Sequence, residues 1–174
     1  MCRTVILVLA MFVSGCESGD DGWTQRCVED FPDCALECGD DCDLDCDGFA
    51  TCDARCDDGC EVRCSNTDRC DVNCDRDCDV TCQSAGMCNL EGSWGSNLHC
   101  SDTSSCSLDV GLGSTARCTR VGTCNVICRD SCRVICDNVS ACNVQCADSF
   151  ESTRSCDDGT VVCGRECPED DPFR

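Results

Sequence analysis

The sequence predicts an all-β fold: a narrow, disulfide-rich β-solenoid of about seven 18-residue coils. Three observations carry the prediction. Cysteines return every 18 residues, apolar and polar residues alternate between them, and the composition is too poor in bulky side chains for an ordinary core.

The repeat comes first, because self-similarity at a fixed period identifies a stacked architecture. One column runs Cys34, Cys52, Cys70, Cys88, Cys106, Cys124 and Cys142, each 18 residues after the last. A second, offset by twelve, is Cys46, Cys64, Cys82, Cys100, Cys118 and Cys136. Offset four holds Cys38, Cys56, Cys74, Cys128 and Cys146, and offset eight holds Cys42, Cys60, Cys78 and Cys132.

Aliphatic residues keep the same register. Offset two carries Leu36, Ala54, Val72, Leu90, Leu108, Val126 and Val144, and offset ten carries Leu44, Val62, Val80, Leu98, Ala116 and Val134. Each unit is thus two Cys-x-aliphatic-x-Cys segments with period-two alternation, the signature of a strand with one face inward. The three-residue spacers are rich in Gly and Asp and the five-residue spacers in Asn, Ser and Gly, residues that favour turns. Eighteen residues are also five turns of α-helix. A helix would aim the aliphatic columns away from the cysteines, however, and Asp, Asn, Gly and Thr are poor helix formers.

The composition agrees. Of 174 residues 28 are cysteine, with five Phe, two Trp and no Tyr. Two aliphatic side chains per coil cannot by themselves offset the entropy of ordering 18 residues, so the disulfides are needed. The net charge of -21 argues against a nucleic-acid partner, whose binders need a basic surface.

The cysteine columns also suggest their pairing. In the units that begin at Cys88 and Cys106, offsets four and eight lose their cysteines together, as Gly92 with Ser96 and Val110 with Ser114. Joint loss points to bonds across the three-residue turn: Cys38–Cys42, Cys56–Cys60, Cys74–Cys78 and Cys128–Cys132. The other two columns pair either within a unit or across the five-residue turn. The second scheme gives Cys46–Cys52, Cys64–Cys70, Cys82–Cys88, Cys100–Cys106, Cys118–Cys124 and Cys136–Cys142. It also finds Cys27 a partner in Cys34, leaving Cys146, Cys156, Cys163 and Cys167 for a C-terminal cap. Within-unit pairing strands Cys27, so the second scheme is preferred.

At the N-terminus, Arg3 precedes an apolar run from Val5 to Val13, too short to span a bilayer as a stable helix. It ends in Val13-Ser14-Gly15-Cys16, which resembles the lipobox of bacterial lipoproteins. The resemblance implies cleavage before Cys16 and acylation of its thiol, making the membrane a partner through an N-terminal lipid. An ordinary secretory signal is the alternative. Either route leads to an oxidising compartment, where disulfides persist. Setting aside Cys2 and Cys16 leaves an even 26 cysteines, as full pairing requires. Glu17 stands where an Asp favours inner-membrane retention in enterobacteria, so the resemblance implies the outer membrane.

The predicted coil resembles, in principle, the slim disulfide-braced solenoids of beetle antifreeze proteins. Their paired Thr-x-Thr ranks are absent here, so ice binding is not expected. The coil length also equals that of left-handed β-helices, whose hexapeptide pattern is missing.

Four features bear on function. Asp40, Asp41, Asp43 and Asp45 crowd the first coil, where stacked like charges would draw in a hard cation such as calcium; alternatively they form a solvated face that keeps strand edges from aggregating. Thiolates would take a soft metal, although strand spacing plus export favours cystine. Trp94 and Leu112 share a turn column, and His99 and Arg117 a strand column, so the four are a candidate docking patch. Alternatively Trp94 and Leu112 fold inward and fill the place of the missing cystine. An enzyme is not expected: His99 is the one histidine and there is no Cys-x-x-Cys redox pair.

The expected organisation is a signal over residues 1–15, a lipidated polar tether over 16–31, the solenoid over 32–149, and a cap and tail over 150–174. The expected function is a non-enzymatic, lipid-anchored cell-envelope protein with a structural or adhesive role toward an envelope or surface partner. The alternative is a metal-binding envelope protein, through the Asp cluster or, second, through thiolates.

Overall fold

The computed structural model describes residues 33–147 and 152–167 in full, together with the backbone of two short N-terminal strands. Every regular element among these residues is a β-strand. None is a helix able to cross a membrane.

Two sheets face each other. Sheet B contains β3 (Asp33–Cys38), β5 (Thr51–Cys56), β7 (Arg69–Arg76), β9 (Met87–Trp94), β11 (Ser105–Val110), β13 (Thr123–Cys128) and β15 (Ala141–Cys146). Sheet A contains β4 (Asp43–Asp47), β6 (Glu61–Ser65), β8 (Asp79–Gln83), β10 (Asn97–Ser101), β12 (Thr115–Thr119) and β14 (Cys132–Asp137), extended at one end by β1 (Cys16–Ser18) and β2 (Thr24–Cys27) and at the other by β16 (Arg154–Ser155) and β17 (Thr160–Cys163). The chain alternates between the sheets, so β3 with β4 makes the first coil and β13 with β14 the sixth. β15 begins a seventh coil that has no partner strand of the same repeat. The solenoid therefore has six full coils and a half, because the chain turns back after β15 and lays β17 antiparallel on β14 instead.

Neighbouring coils pair in parallel with a shift of one repeat. Cys34 lies beside Cys52, Leu36 beside Ala54 and Cys38 beside Cys56, and the same register recurs up to Cys128 beside Cys146. Because side chains alternate with period two, a fixed 18-residue register keeps every inward column inward. The columns expected to be apolar are buried through the six full coils: Leu44, Val62, Val80 and Val134 are each 0% exposed, with Leu90 and Leu108 at 2%, while Val144 in the final half-coil is partly buried.

Cystines close both lateral edges of this flat interior. Across the five-residue turn the bonds are Cys46–Cys52, Cys64–Cys70, Cys82–Cys88, Cys100–Cys106, Cys118–Cys124 and Cys136–Cys142. Across the three-residue turn they are Cys38–Cys42, Cys74–Cys78 and Cys128–Cys132. The cap is pinned by Cys146–Cys163 and Cys156–Cys167. Each solenoid cystine joins the end of a strand in one sheet to the start of the next strand in the other, so the short turn itself is closed. The side chain of Cys27, expected to bond Cys34, lies outside the described residues.

One pair differs from expectation: Cys56 and Cys60 are free thiols, both buried. Cys60 turns toward the preceding coil, placing its sulfur 3.1 Å from that of Cys42. It also donates to the Gly39 carbonyl oxygen at 3.2 Å. The sulfur is engaged between coils instead of closing its own turn.

The turns have their own registers. Asn66, Ser84, Asp102, Arg120 and Asn138 share one column and all have φ between 53° and 55°, with Gly48 at 79° heading the same column. Each sits in the left-handed region that lets a short connection reverse direction, where a non-glycine residue costs about 1–2 kcal/mol. A column inside the same turn points inward: Thr67, Ala85, Thr103 and Val121 are all at most 6% exposed. Strands β1 and β2 fall in the segment expected as a tether. There β2 pairs in parallel with β4 and covers the N-terminal edge of sheet A, supplying partners for backbone groups that would otherwise be unpaired.

Candidate functional site

Four places on the rod hold chemistry. The first is the sulfur cluster between coils one and two. The sulfurs of Cys42, Cys56 and Cys60 all lie within 4.8 Å of one another, and all three residues are buried. Burial pushes the Cys56 thiol up to about 12, helped by the neighbouring Cys60 and by Asp57. The Cys60 thiol is raised as well, again first by burial, although a hydrogen bond with the Cys42 backbone opposes the shift. Both thiols are therefore protonated at neutral pH and react slowly, since the thiolate is the nucleophile.

The second is the acidic face of the first coils. Asp40 and Asp41 occupy the three-residue turn, where Asp40 accepts a hydrogen bond from the Asp58 backbone at 3.3 Å. Asp43 and Asp45 project from β4, and their neighbour Arg63 lies 3.7 Å from Asp43. Arg63 also pairs with Glu61, so of the four Asp it is Asp43 that already has an arginine beside it. Among the described residues, the groups that bring three or more candidate ligand atoms within 4.8 Å consist of cysteine sulfurs. The structure does not gather the four Asp into such a group.

The third is the region without the inner cystine. Ser96 and Ser114 are fully buried, and Val110 is 0% exposed. Ser96 accepts a hydrogen bond from the Cys78 backbone at 3.3 Å, Ser114 accepts one from the Ser96 backbone at 3.1 Å, and Ser114 donates to the Ser93 carbonyl at 3.1 Å. A Cβ on Gly92 would come within 2.8 Å of the Ser96 Cβ, so glycine is what allows the serine to enter. The inward-folding alternative for Trp94 and Leu112 is thereby overturned. The space is filled by Val110 and a hydrogen-bonded serine ladder, while Trp94 is 59% and Leu112 37% exposed. Their turns are adjacent, the Gly95 backbone donating to the Leu112 carbonyl at 3.0 Å.

His99 and Arg117 lie side by side on β10 and β12, on sheet A and beyond the turn that carries Trp94. The candidate patch is thus two neighbouring pairs. Burial, and then the Arg117 charge, lower the His99 pKa below its ordinary value. Its Nε2 has no hydrogen-bond partner among the described residues.

The fourth place was not singled out from the sequence. A shallow groove of about 600 Å³ runs over the outer face of sheet B. One wall carries Asp53, Asp71, Asn89, Ser107 and Asn125, and the other Arg55, Asn73, Glu91, Asp109 and Ile127. Each wall is one outward column of the repeat, so its constituents were visible as a periodic series. Several of the groove's side chains are held by bonds between coils: Asn89 donates to Asp71 at 2.6 Å and Asn73 to Glu91 at 2.8 Å, while Arg129, outside the groove, donates to Asp109 at 2.5 Å. Ile127 stands 44% exposed among them.

The side chain of Cys16, expected to carry the lipid, lies outside the described residues. Comparison with protein families, with characterised proteins and with solved structures finds no match for this chain.

Proposed function

We propose that the protein is a non-enzymatic, lipid-anchored component of the bacterial cell envelope, with a structural or adhesive role. The observation that supports this reading best is the rod itself: stacked coils whose turns are closed by local cystines. Such bonds persist in an oxidising compartment, in keeping with export directed by the segment ending at Cys16. A rigid rod anchored at its N-terminal end holds its outer faces at a fixed distance from the membrane. On that reading the groove of sheet B and the Trp94–Leu112 turn are the surfaces offered to a partner.

The test is Cys16→Ser. The native protein is expected to incorporate labelled fatty acid and to partition into detergent, and the variant to do neither while remaining exported. Equal behaviour of the two would refute the anchor. For the adhesive part, Trp94→Ser with Leu112→Ser is expected to remove specific cross-links to envelope material while leaving the unfolding free energy within about 1 kcal/mol of native, as exposed substitutions do. An unchanged cross-linking pattern would remove this patch from the proposal.

A further inference from the structure

We propose that the first two coils carry a movable cystine: the Cys60 thiol exchanges with the Cys38–Cys42 bond, linking Cys42 to Cys60 between coils and transferring the free thiol to Cys38. The placement is what suggests the chemistry. Among the described cysteines only Cys56 and Cys60 are free, and Cys60 lies with its sulfur 3.1 Å from Cys42, which is bonded to Cys38. Cys42 has no proton to give, so Cys60 is the only donor in that contact. A thiol beside a cystine sulfur is the arrangement from which exchange begins.

The step balances without an outside reagent. Cys60 gives up its proton and its thiolate attacks the Cys42 sulfur. The Cys38–Cys42 bond breaks, and its electron pair leaves on the Cys38 sulfur, which takes up a proton. One disulfide is lost and one gained, and Cys56 remains a thiol throughout. The consequence is a change of accessibility. Cys60 is 1% exposed, whereas Cys38 is half-buried at the end of β3. Exchange therefore carries a thiol from the interior to the edge of the rod, where the Cys38 thiolate can attack a soluble disulfide. The protonated state of the buried thiols makes the step slow at neutral pH and faster as pH rises.

The experiment maps the cystines of the full-length mature protein by acid quench, digestion at low pH and mass spectrometry after incubation at about pH 7, 8 and 9. The expected result is a Cys42–Cys60 linked peptide with the matching thiol at Cys38, appearing about tenfold faster per pH unit, as thiolate attack requires. Added oxidised glutathione is expected to form its mixed disulfide at Cys38. Cys60→Ser should abolish the inter-coil link. Cys56→Ser leaves the exchanging trio intact and should retain it, which keeps the test open where Cys60→Ser fails to fold. An intact Cys38–Cys42 bond at every pH, with thiols confined to Cys56 and Cys60, would overturn the proposal. So would a native protein with no free thiol.

Discussion

His99 shows how a single side chain reports on the packing around it. It is held half-buried between Thr81 and Arg117 of the neighbouring strands, with the Asp79 charge nearby. Burial first, and Arg117 next, lower its pKa, with Asp79 opposing and Arg120 adding to the effect. The fold therefore prefers the neutral ring. The unfolded chain protonates this group near the ordinary value of 6.5, so the stability His99 contributes is present above that pH and lost as pH falls from there through the lower folded pKa. On acidification from about pH 7.5 to about pH 5, the melting temperature should fall further for the native protein than for His99→Gln. Equal falls would contradict the assigned burial.

At the scale of the element, the two coils that carry no inner cysteines show what the disulfide contributes. They keep the common register, with Val110 beside Gly92 on one side and Cys128 on the other, yet close their turns with buried serines. The equivalent cystines elsewhere span Cα–Cα distances of 6.0 to 6.4 Å. Val110→Cys with Ser114→Cys should therefore form a bond under oxidising conditions. On the chain-entropy model a loop this short gains roughly 2 kcal/mol, read as a higher denaturation midpoint that reverts on reduction. A bond that forms with no gain would mean the serine ladder already holds this turn as well as a cystine does. Much of this element was legible in advance: joint loss of two cysteine columns identified which columns pair, and period-two alternation identified the strands. The inward turn column of Thr67, Ala85, Thr103 and Val121 was not legible, because a turn has no fixed period to mark its inner face and half of the column is Thr. The outward stance of Trp94 was equally hidden. Bulk suggested that it fills a gap, but Ser96, Ser114 and Val110 already occupy the interior there, with Gly92 leaving room for the Ser96 side chain. Nor does spacing reveal that Cys60 leans toward Cys42, since its column is identical to that of Cys78, which does bond across its turn.

For the whole molecule, repetition makes the structure close to one-dimensional, each coil contacting its neighbours and little else. Charge is not spread evenly along that axis. Between residues 33 and 80 there are sixteen acidic residues and four arginines, whereas residues 115 to 147 carry four arginines and two aspartates. Ladders between coils offset some of the repulsion: Arg76 lies 2.7 Å from Asp58 and Arg120 2.6 Å from Asp102. These contacts are exposed and individually weak. Self-repulsion in the acidic coils should thus dominate the salt response. Raising ionic strength from about 0.01 to 0.15 M shortens the screening length from about 30 to 8 Å, and the melting temperature is expected to rise. A fall would show that the inter-coil ion pairs outweigh the repulsion. The account as a whole depends on which cysteines close the coils, because only bonds across the turns leave the interior narrow and the register fixed. The most direct measurement is a cystine map of the mature protein by digestion and mass spectrometry without reduction. It should find links six residues apart, such as Cys46–Cys52, Cys82–Cys88 and Cys118–Cys124. Links twelve residues apart within each unit, such as Cys52–Cys64 or Cys70–Cys82, would contradict it.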